Sequence, residues 1–184
     1  ALGEEGAVVA ESVHLSVPAR KADPDRHEKL SHDALLLVAR ADDLAESVEP
    51  INTVEFMRGS RMIVKSAVVR GLPLGAMGFR ALVLAGEAAG SDDKCMKAER
   101  FLRASEPPEH NNWIVTRKAG DAYALGSKTY LEEFNKQVHA AIRDLVRPHA
   151  DNRSDGPDSM RELLRLKPPP VQREKDRKST RLNS

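Results

Sequence analysis

The chain has 184 residues, of which 40% are hydrophobic and only 4% aromatic, with 29 Lys and Arg against 28 Asp and Glu. This length holds one domain of ordinary size plus a tail, and the core must be filled mainly by aliphatic side chains. The single cysteine, Cys95, excludes an intrachain disulfide. The sequence has neither a long apolar run nor a signal region, so we expect a cytoplasmic protein that makes no contact with a membrane.

The first half of the chain predicts a β-sheet. Val13, Leu15 and Val17 alternate with polar residues, which is typical of a half-buried strand. The continuous apolar run from Ala34 to Val38 predicts a strand covered on both faces. Gly59 is placed to form a hairpin turn. The predicted strands are Val8 to Val17, Ala34 to Val38, Thr53 to Met57, Met62 to Val69 and Phe79 to Ala85.

The second half predicts two main helices. The first runs from Ser91, as the N-cap, to about Ser105. The second runs from about Thr129 to Val146, with apolar residues at spacings of three and four, and Thr129 with Glu132 matches a capping box. Strands first and helices second predict an α+β fold, with a mostly antiparallel sheet of about five strands and the helices on one face.

The ends of the chain predict less structure. We expect residues 1–150 to form the α+β domain or a fragment of it, and residues 151–175 to be a linker with a short helix in a disordered tail. All nine of residues 176–184 resemble the translation of a widely used short-read sequencing adapter. They carry a net charge of +2, so the rest of the chain is about −1, which predicts no nucleic-acid partner. A start at Ala1, with no initiator methionine, predicts a piece of a longer protein.

A cluster of imidazoles and carboxylates between the first two strands is a candidate metal site. Its members are Asp23, Asp25, His27 and His32, whose side chains suit zinc or iron. On a helix the two histidines would point about 140° apart, so they do not match the His-Glu-x-x-His spacing. The alternatives are a metal-dependent hydrolase site and a solvated loop.

The segment that follows the first predicted helix concentrates polar groups beside the only tryptophan, which is typical of a partner-contacting loop. The candidate contact residues are Pro107, Pro108, His110 and Trp113. The alternative is that Trp113 anchors the loop to the core and that the prolines stiffen it.

Other motifs lack the spacing that their chemistry requires. The segment from Gly120 to Thr129 approaches a P-loop but has five residues between its glycines where four are needed. The glycines from Gly71 to Gly78 lead into a strand, so no helix N-terminus is available for a dinucleotide. Cys95 has no histidine near it in sequence, which favours a structural role. We therefore predict no catalytic residue and no cofactor.

Three stretches resemble the region downstream of the ATPase domain in large bacterial Hsp90-like (GHKL) ATP-binding proteins. They are Phe56 to Val64, Phe79 to Gly86 and Ala98 to Trp113, within a resemblance that covers about residues 10–148. None is a catalytic motif, and the helical Asn and the Asp-x-Gly loop of that family's nucleotide site have no counterpart here. The resemblance implies that ATP binds upstream of Ala1.

These observations together predict a non-catalytic coupling or partner-contact region of a larger cytosolic bacterial protein. Its expected partner is the rest of its own longer chain or another protein. The alternatives are a metal-dependent hydrolase that uses His27 and His32, and an independent protein-binding module.

Overall fold

The computed structural model describes residues 8–22, 29–41, 50–59 and 61–148. By its internal contacts the chain divides into Ala1–Pro148 and His149–Ser184, and all described residues belong to the first unit. The predicted linker, the predicted disordered tail and the adapter-like residues 176–184 lie outside the described residues. In the part that is described, no helix has the length and apolar character needed to cross a membrane.

Within the described residues, five strands form one mixed sheet. The strands are β1 Val8–Val17, β2 Leu30–Arg40, β3 Thr53–Arg58, β4 Met62–Val68 and β5 Phe79–Ala85. Their order across the sheet is β1-β2-β5-β3-β4. The pairs β1–β2, β2–β5 and β3–β4 are antiparallel, whereas β3 and β5 are parallel. The predicted α+β fold is confirmed, and the parallel pair makes the sheet mixed.

The helices pack on one face of the sheet, which we call the inner face. They are α1 Asp93–Ala104, α2 Arg117–Ala122 and α3 Ser127–Leu145. A short 3₁₀ turn, Gly86–Ala88, follows β5. The alternating inner residues of the strands, such as Leu36 and Val83, join Phe101 of α1 and Phe134 of α3 in a single core. Burial of this apolar face against the helices is the main source of stability.

Two predicted helix starts differ from the structure. The N-cap of α1 is Asp92, because its Oδ1 accepts a hydrogen bond from the Cys95 amide at 2.7 Å, so the prediction of Ser91 is wrong by one residue. Helix α3 begins two residues earlier than Thr129, after Gly126 in the left-handed conformation, with no side-chain cap. The predicted capping box is therefore wrong, because Thr129 already lies inside the first turn.

Helix α2 was not predicted. It has six residues, and Thr116 caps it by accepting a hydrogen bond from the Ala119 amide at 3.1 Å. Such a short helix carries too few apolar residues to show a period in sequence.

Asn52 holds together the ends of three strands. Its amide donates to the carbonyl of Phe79 at 2.8 Å, and its own carbonyl accepts from the amide of Val69 at 2.9 Å. The side-chain Oδ1 also accepts from the Phe79 amide, at 3.3 Å. The φ of Asn52 is 59°, a left-handed conformation that asparagine tolerates better than most residues. Val69 follows β4 and Phe79 begins β5, so these bonds hold both ends of the connection that crosses from β4 past β3 to β5.

The opposite, outer face of the sheet carries a contiguous row of apolar side chains, with the charged residues Glu55 and Arg80 beside it. On this face Leu35 lies beside Leu84, Leu84 beside Met57, and Met57 beside Ile63. Leu35 is 36% exposed and Ile63 is 47% exposed. None of these residues belongs to the core or packs against it. Among the residues that the structure describes, the helices cover only the inner face of the Ala34–Val38 strand, so the expected cover of its second face stays a prediction.

Candidate functional site

A cluster of charged side chains is buried where β3 ends. Arg58, only 8% exposed, donates from Nε to Glu106 Oε2 at 2.5 Å and from Nη1 to Glu99 Oε1 at 3.0 Å. The carboxylate side chains of Glu99 and Glu106 are 4% and 1% exposed. Because each buried charge has a hydrogen-bonded partner of opposite sign, the cost of removing it from water is offset.

The second carboxylate oxygen of Glu99 is used by the backbone. It accepts hydrogen bonds from the amide of Gly59 at 3.0 Å and from the amide of Glu87 at 3.4 Å. Gly86 approaches so closely that a Cβ there would lie 2.4 Å from this oxygen. The cluster thus fastens the β3–β4 turn and the turn after β5 to helix α1. Both carboxylate oxygens of Glu99 already have partners, so we assign this cluster a structural role.

The predicted partner-contact loop divides into buried and exposed residues. Trp113 is 4% exposed, and its ring meets Phe56 edge-on at a centroid distance of 5.7 Å. Pro107 is also buried, whereas Pro108 and His110 are exposed. His110 Nδ1 contacts Glu106 Oε1, so the loop is also tied to the Arg58 cluster. Partner contact by these residues stays a prediction, with Trp113 placed as an anchor in the core.

His32 of the predicted metal cluster lies inside the core. It is 1% exposed, and its Nε2 accepts a hydrogen bond from the Gly86 amide at 3.0 Å. Burial lowers the pKa of His32, although Asp33 and Asp92 act in the opposite direction. Because Nε2 accepts this hydrogen bond, the proton of the neutral ring is on Nδ1. Neither ring nitrogen then has a free lone pair to bind a metal.

The rest of the predicted metal cluster cannot be placed beside His32. Asp23, Asp25 and His27 lie outside the described residues. Across residues 8–22, 29–41, 50–59 and 61–148, no group of three or more His, Cys, Asp or Glu side chains is arranged to hold a metal ion. A metal site on the other three residues stays a prediction, and the hydrogen bond to Gly86 already occupies His32.

An open groove of about 430 Å³ is lined by residues 112–115, by the first half of α3 and by Lys65 of β4, and we call it the β4–α3 groove. Its apolar surface comes from Trp113 and Leu131, which are buried, and from Ile114 and Val115, which are 46% and 42% exposed. Its polar lining residues are Lys65, Asn112, Lys128, Glu132 and Asn135. This combination of an apolar floor with a few polar groups is typical of binding sites.

Lys65 is the most unusual residue of the β4–α3 groove. Its Nζ lies 3.4 Å from Asn135 Oδ1 and 5.3 Å from the centre of the Phe56 ring. Burial lowers its pKa. No carboxylate in the described part of the chain lies within ion-pair distance of it. An ammonium has three donors, so two N–H groups of Lys65 are left to donate to water or to a ligand.

One helical turn beyond Asn135 on α3, His139 places an imidazole close to the charges of Lys65 and Arg143. Its Nε2 is buried and has no hydrogen-bond partner among the described residues. Burial lowers the pKa of His139, and the positive charges of Lys65 and Arg143 lower it further. The lowered pKa favours the neutral imidazole of His139, so Lys65 and Lys128 are the cationic residues that line the β4–α3 groove.

The sequence carries a signal for the β4–α3 groove, although no site was predicted there. Asn135, His139 and Arg143 recur every four residues on α3, which makes a polar stripe beside the apolar one. Lys65 interrupts an otherwise uncharged strand. Neither feature alone shows that β4 and α3 are neighbours.

A second depression, of about 550 Å³, lies on the outer face of the sheet. Leu37, Leu82 and Ile63 contribute to its lining. It belongs to the outer face, and its charged lining residues are Glu55 and Arg80.

No protein-family model, curated protein or solved structure matches the chain. The resemblance to the region downstream of a GHKL ATPase domain therefore stays a prediction.

Proposed function

We propose that this chain is a non-catalytic coupling and partner-contact region of a larger cytosolic bacterial protein. Its partner is another domain of the same polypeptide, which packs on the outer face of the sheet. The resemblance of three stretches to the GHKL proteins makes an upstream Hsp90-like ATPase the candidate for that domain.

The apolar character of the outer face carries this proposal. A sheet face turned to water normally bears polar side chains, which gives its strands a clean alternation. Here the central strands β2 and β5 present Leu35, Leu37, Leu82 and Leu84 on that face, and β3 adds Met57. Contiguous apolar surface of this kind marks a contact region in soluble proteins.

The first experiment tests whether the outer face is exposed when the 184-residue chain is isolated. We expect the chain to bind a dye that fluoresces on apolar surfaces, and we expect the double variant Leu37→Gln, Leu82→Gln to lose most of that signal while it still unfolds cooperatively. The matched control is Leu125→Gln, because Leu125 is 97% exposed but lies outside this face. Equal dye binding by the double variant and the wild type would contradict the proposal.

The second experiment identifies the partner. A photo-crosslinking amino acid replaces Leu82 in the longer natural polypeptide, and mass spectrometry identifies the peptide that it captures. We expect a peptide from another domain of the same chain. Capture of a peptide from a different protein would overturn the assignment of the partner.

The non-catalytic part of the proposal has its own measurement. The isolated chain should neither hydrolyse ATP nor give a calorimetric signal for ATP at micromolar concentration. Either ATP hydrolysis or ATP binding at micromolar concentration would contradict the non-catalytic assignment. Stoichiometric zinc, iron or manganese in the purified protein would instead support the metal-dependent hydrolase.

A further inference from the structure

We propose that the β4–α3 groove binds an extended peptide segment in which a carboxylate side chain stands next to an apolar side chain. This binding is independent of the outer face, since the two surfaces share no lining residue. The carboxylate pairs with Lys65, and the apolar side chain covers the surface formed by Ile114, Val115 and Leu131.

The apolar part of the groove favours an aliphatic group of the ligand. Trp113 and Leu131 form a fixed floor because both are buried in the core. Ile114 and Val115 stand beside it as consecutive exposed apolar residues, in a segment whose backbone is held by a hydrogen bond from the Ile114 amide to the Ser105 carbonyl at 2.8 Å. A preformed apolar surface beside a loop gains from covering by an aliphatic side chain.

The polar part of the groove specifies the charge of the ligand. Lys65 has no carboxylate partner in the described part of the chain, and its contact with Asn135 Oδ1 is long, at 3.4 Å. A ligand carboxylate would accept a charge-assisted hydrogen bond from Lys65 and compensate the partial burial of the ammonium. The side-chain amide of Asn112 lines the same space and supplies a further donor, whereas Nδ2 of Asn135 already donates to the Leu131 carbonyl at 2.9 Å.

The opposite wall favours a single negative charge over a phosphate. Glu132 lines the groove and lies 3.8 Å from Lys128, an exposed pair in which the lysine is already partly neutralised. A phosphate of nearly two negative charges would face the carboxylate of Glu132 with only Lys65, among the lining residues, left to balance it. A peptide carboxylate carries one charge and matches one lysine.

Trp113 provides a site-specific signal for the test. It is the only tryptophan of the chain and it lines the groove. The probe is acetyl-Leu-Glu-Leu-amide, and its matched control is acetyl-Leu-Gln-Leu-amide, which has the same shape without the charge. We expect the acidic peptide to change the tryptophan emission saturably, and the neutral peptide to bind about tenfold more weakly, as the loss of one charge-assisted hydrogen bond predicts.

Variants of the full chain locate the binding. Lys65→Gln should weaken binding of the acidic peptide about tenfold and abolish the preference over the neutral peptide. Lys118→Gln is the control, since Lys118 is exposed and does not line the groove. Near-ultraviolet circular dichroism checks that each variant is folded. Amide chemical shifts of residues 112–116 and 128–135 provide a second measurement that does not depend on emission.

Three outcomes would overturn the inference. The first is an absence of saturable binding at millimolar peptide. The second is equal affinity for the two peptides, or for the wild type and Lys65→Gln. The third is displacement of the acidic peptide by inorganic phosphate at equal concentration, which would show that the groove selects small anions. None of these results bears on dye binding at the outer face, so the two proposals fail separately.

Discussion

The guanidinium of Arg58 donates to the carboxylate of Glu99 at 3.0 Å and joins the end of strand β3 to helix α1 across 41 residues of sequence. Glu99 also accepts the amides of Gly59 and Glu87, so one carboxylate connects a helix with two turns. Much of the local stability therefore depends on one side chain.

Glu99→Ala should lower the free energy of unfolding by about 3 kcal/mol, because it leaves a buried guanidinium partly unpaired and two backbone amides without an acceptor. Glu106 continues to pair with Arg58, which keeps the loss below that of an isolated buried charge. Urea denaturation of the variant and the wild type measures this loss of unfolding free energy. Asp121→Ala breaks an exposed pair on α2 and should change stability by less than about 0.5 kcal/mol, and equal effects of the two variants would contradict the structural role.

Gly86 and Gly120 should respond to alanine in opposite directions. Gly86 has a φ of +61°, and its new Cβ would lie 2.4 Å from Glu99 Oε2 and 3.0 Å from Glu99 Cα, so Gly86→Ala should cost at least about 2 kcal/mol. Gly120 lies in helix α2 with nothing within 4 Å of the added Cβ. Gly120→Ala should stabilise by about 0.5 to 1 kcal/mol. Thermal unfolding of the two variants checks both signs.

Burial of His32 predicts that stability falls in mild acid. Its pKa is lowered in the folded state, so the unfolded chain binds a proton first as the pH falls through about 6.5. The contribution of the neutral ring is therefore complete above that pH and is lost as the pH approaches the lower folded-state pKa, with a slope of at most about 1.4 kcal/mol per pH unit.

The variant His32→Gln isolates this effect, since the glutamine oxygen can still accept the Gly86 amide but does not titrate in this range. We expect a shallower dependence of unfolding free energy on pH between about 5 and 7 than in the wild type. His139 also has a lowered pKa and should supply the slope that remains. An unchanged slope in His32→Gln would contradict the prediction.

Alanine substitutions at Asp92 and Ser91 distinguish the observed N-cap of α1, Asp92, from the predicted one, Ser91. Asp92→Ala should lower stability, because the Cys95 amide loses its acceptor, whereas Ser91→Ala should have no measurable effect. The same hydrogen bond lowers the pKa of Asp92, so the stabilisation is present above about pH 4 and is lost as the pH falls through the lower folded-state value. Denaturation of the wild type and both variants at neutral pH and in acid tests these two expectations.

Local patterns in the sequence predicted most of the elements. The alternation of Val13, Leu15 and Val17 predicted β1, and the apolar spacing from Leu131 to Ile142 predicted α3, because burial of one face imposes a period on the side chains. The missed elements have weak periods or none. Helix α2 has six residues, and the start of α3 depends on the backbone conformation of Gly126.

Contacts between distant segments could not be predicted from a single sequence. Arg58 is 48 residues from Glu106, and Lys65 is 70 residues from Asn135, so no local pattern relates them. The apolar run from Ala34 to Val38 predicted two covered faces, but the described residues supply a cover for one. A run of apolar residues shows that a strand can be covered on both faces, but it does not show which segment or partner supplies the second cover.

The position of β5 in the middle of the sheet has a consequence for the order in which the sheet forms. The neighbours β1 and β2 are consecutive in sequence, and so are β3 and β4, which allows each pair to form as soon as its own residues have been synthesised. Strand β5 lies between these two hairpins and, of the five strands that the structure describes, it is the last to leave the ribosome. A nascent chain that stops before Phe79 therefore carries two hairpins with no strand between them, and growth of the chain past Ala85 joins them into one sheet.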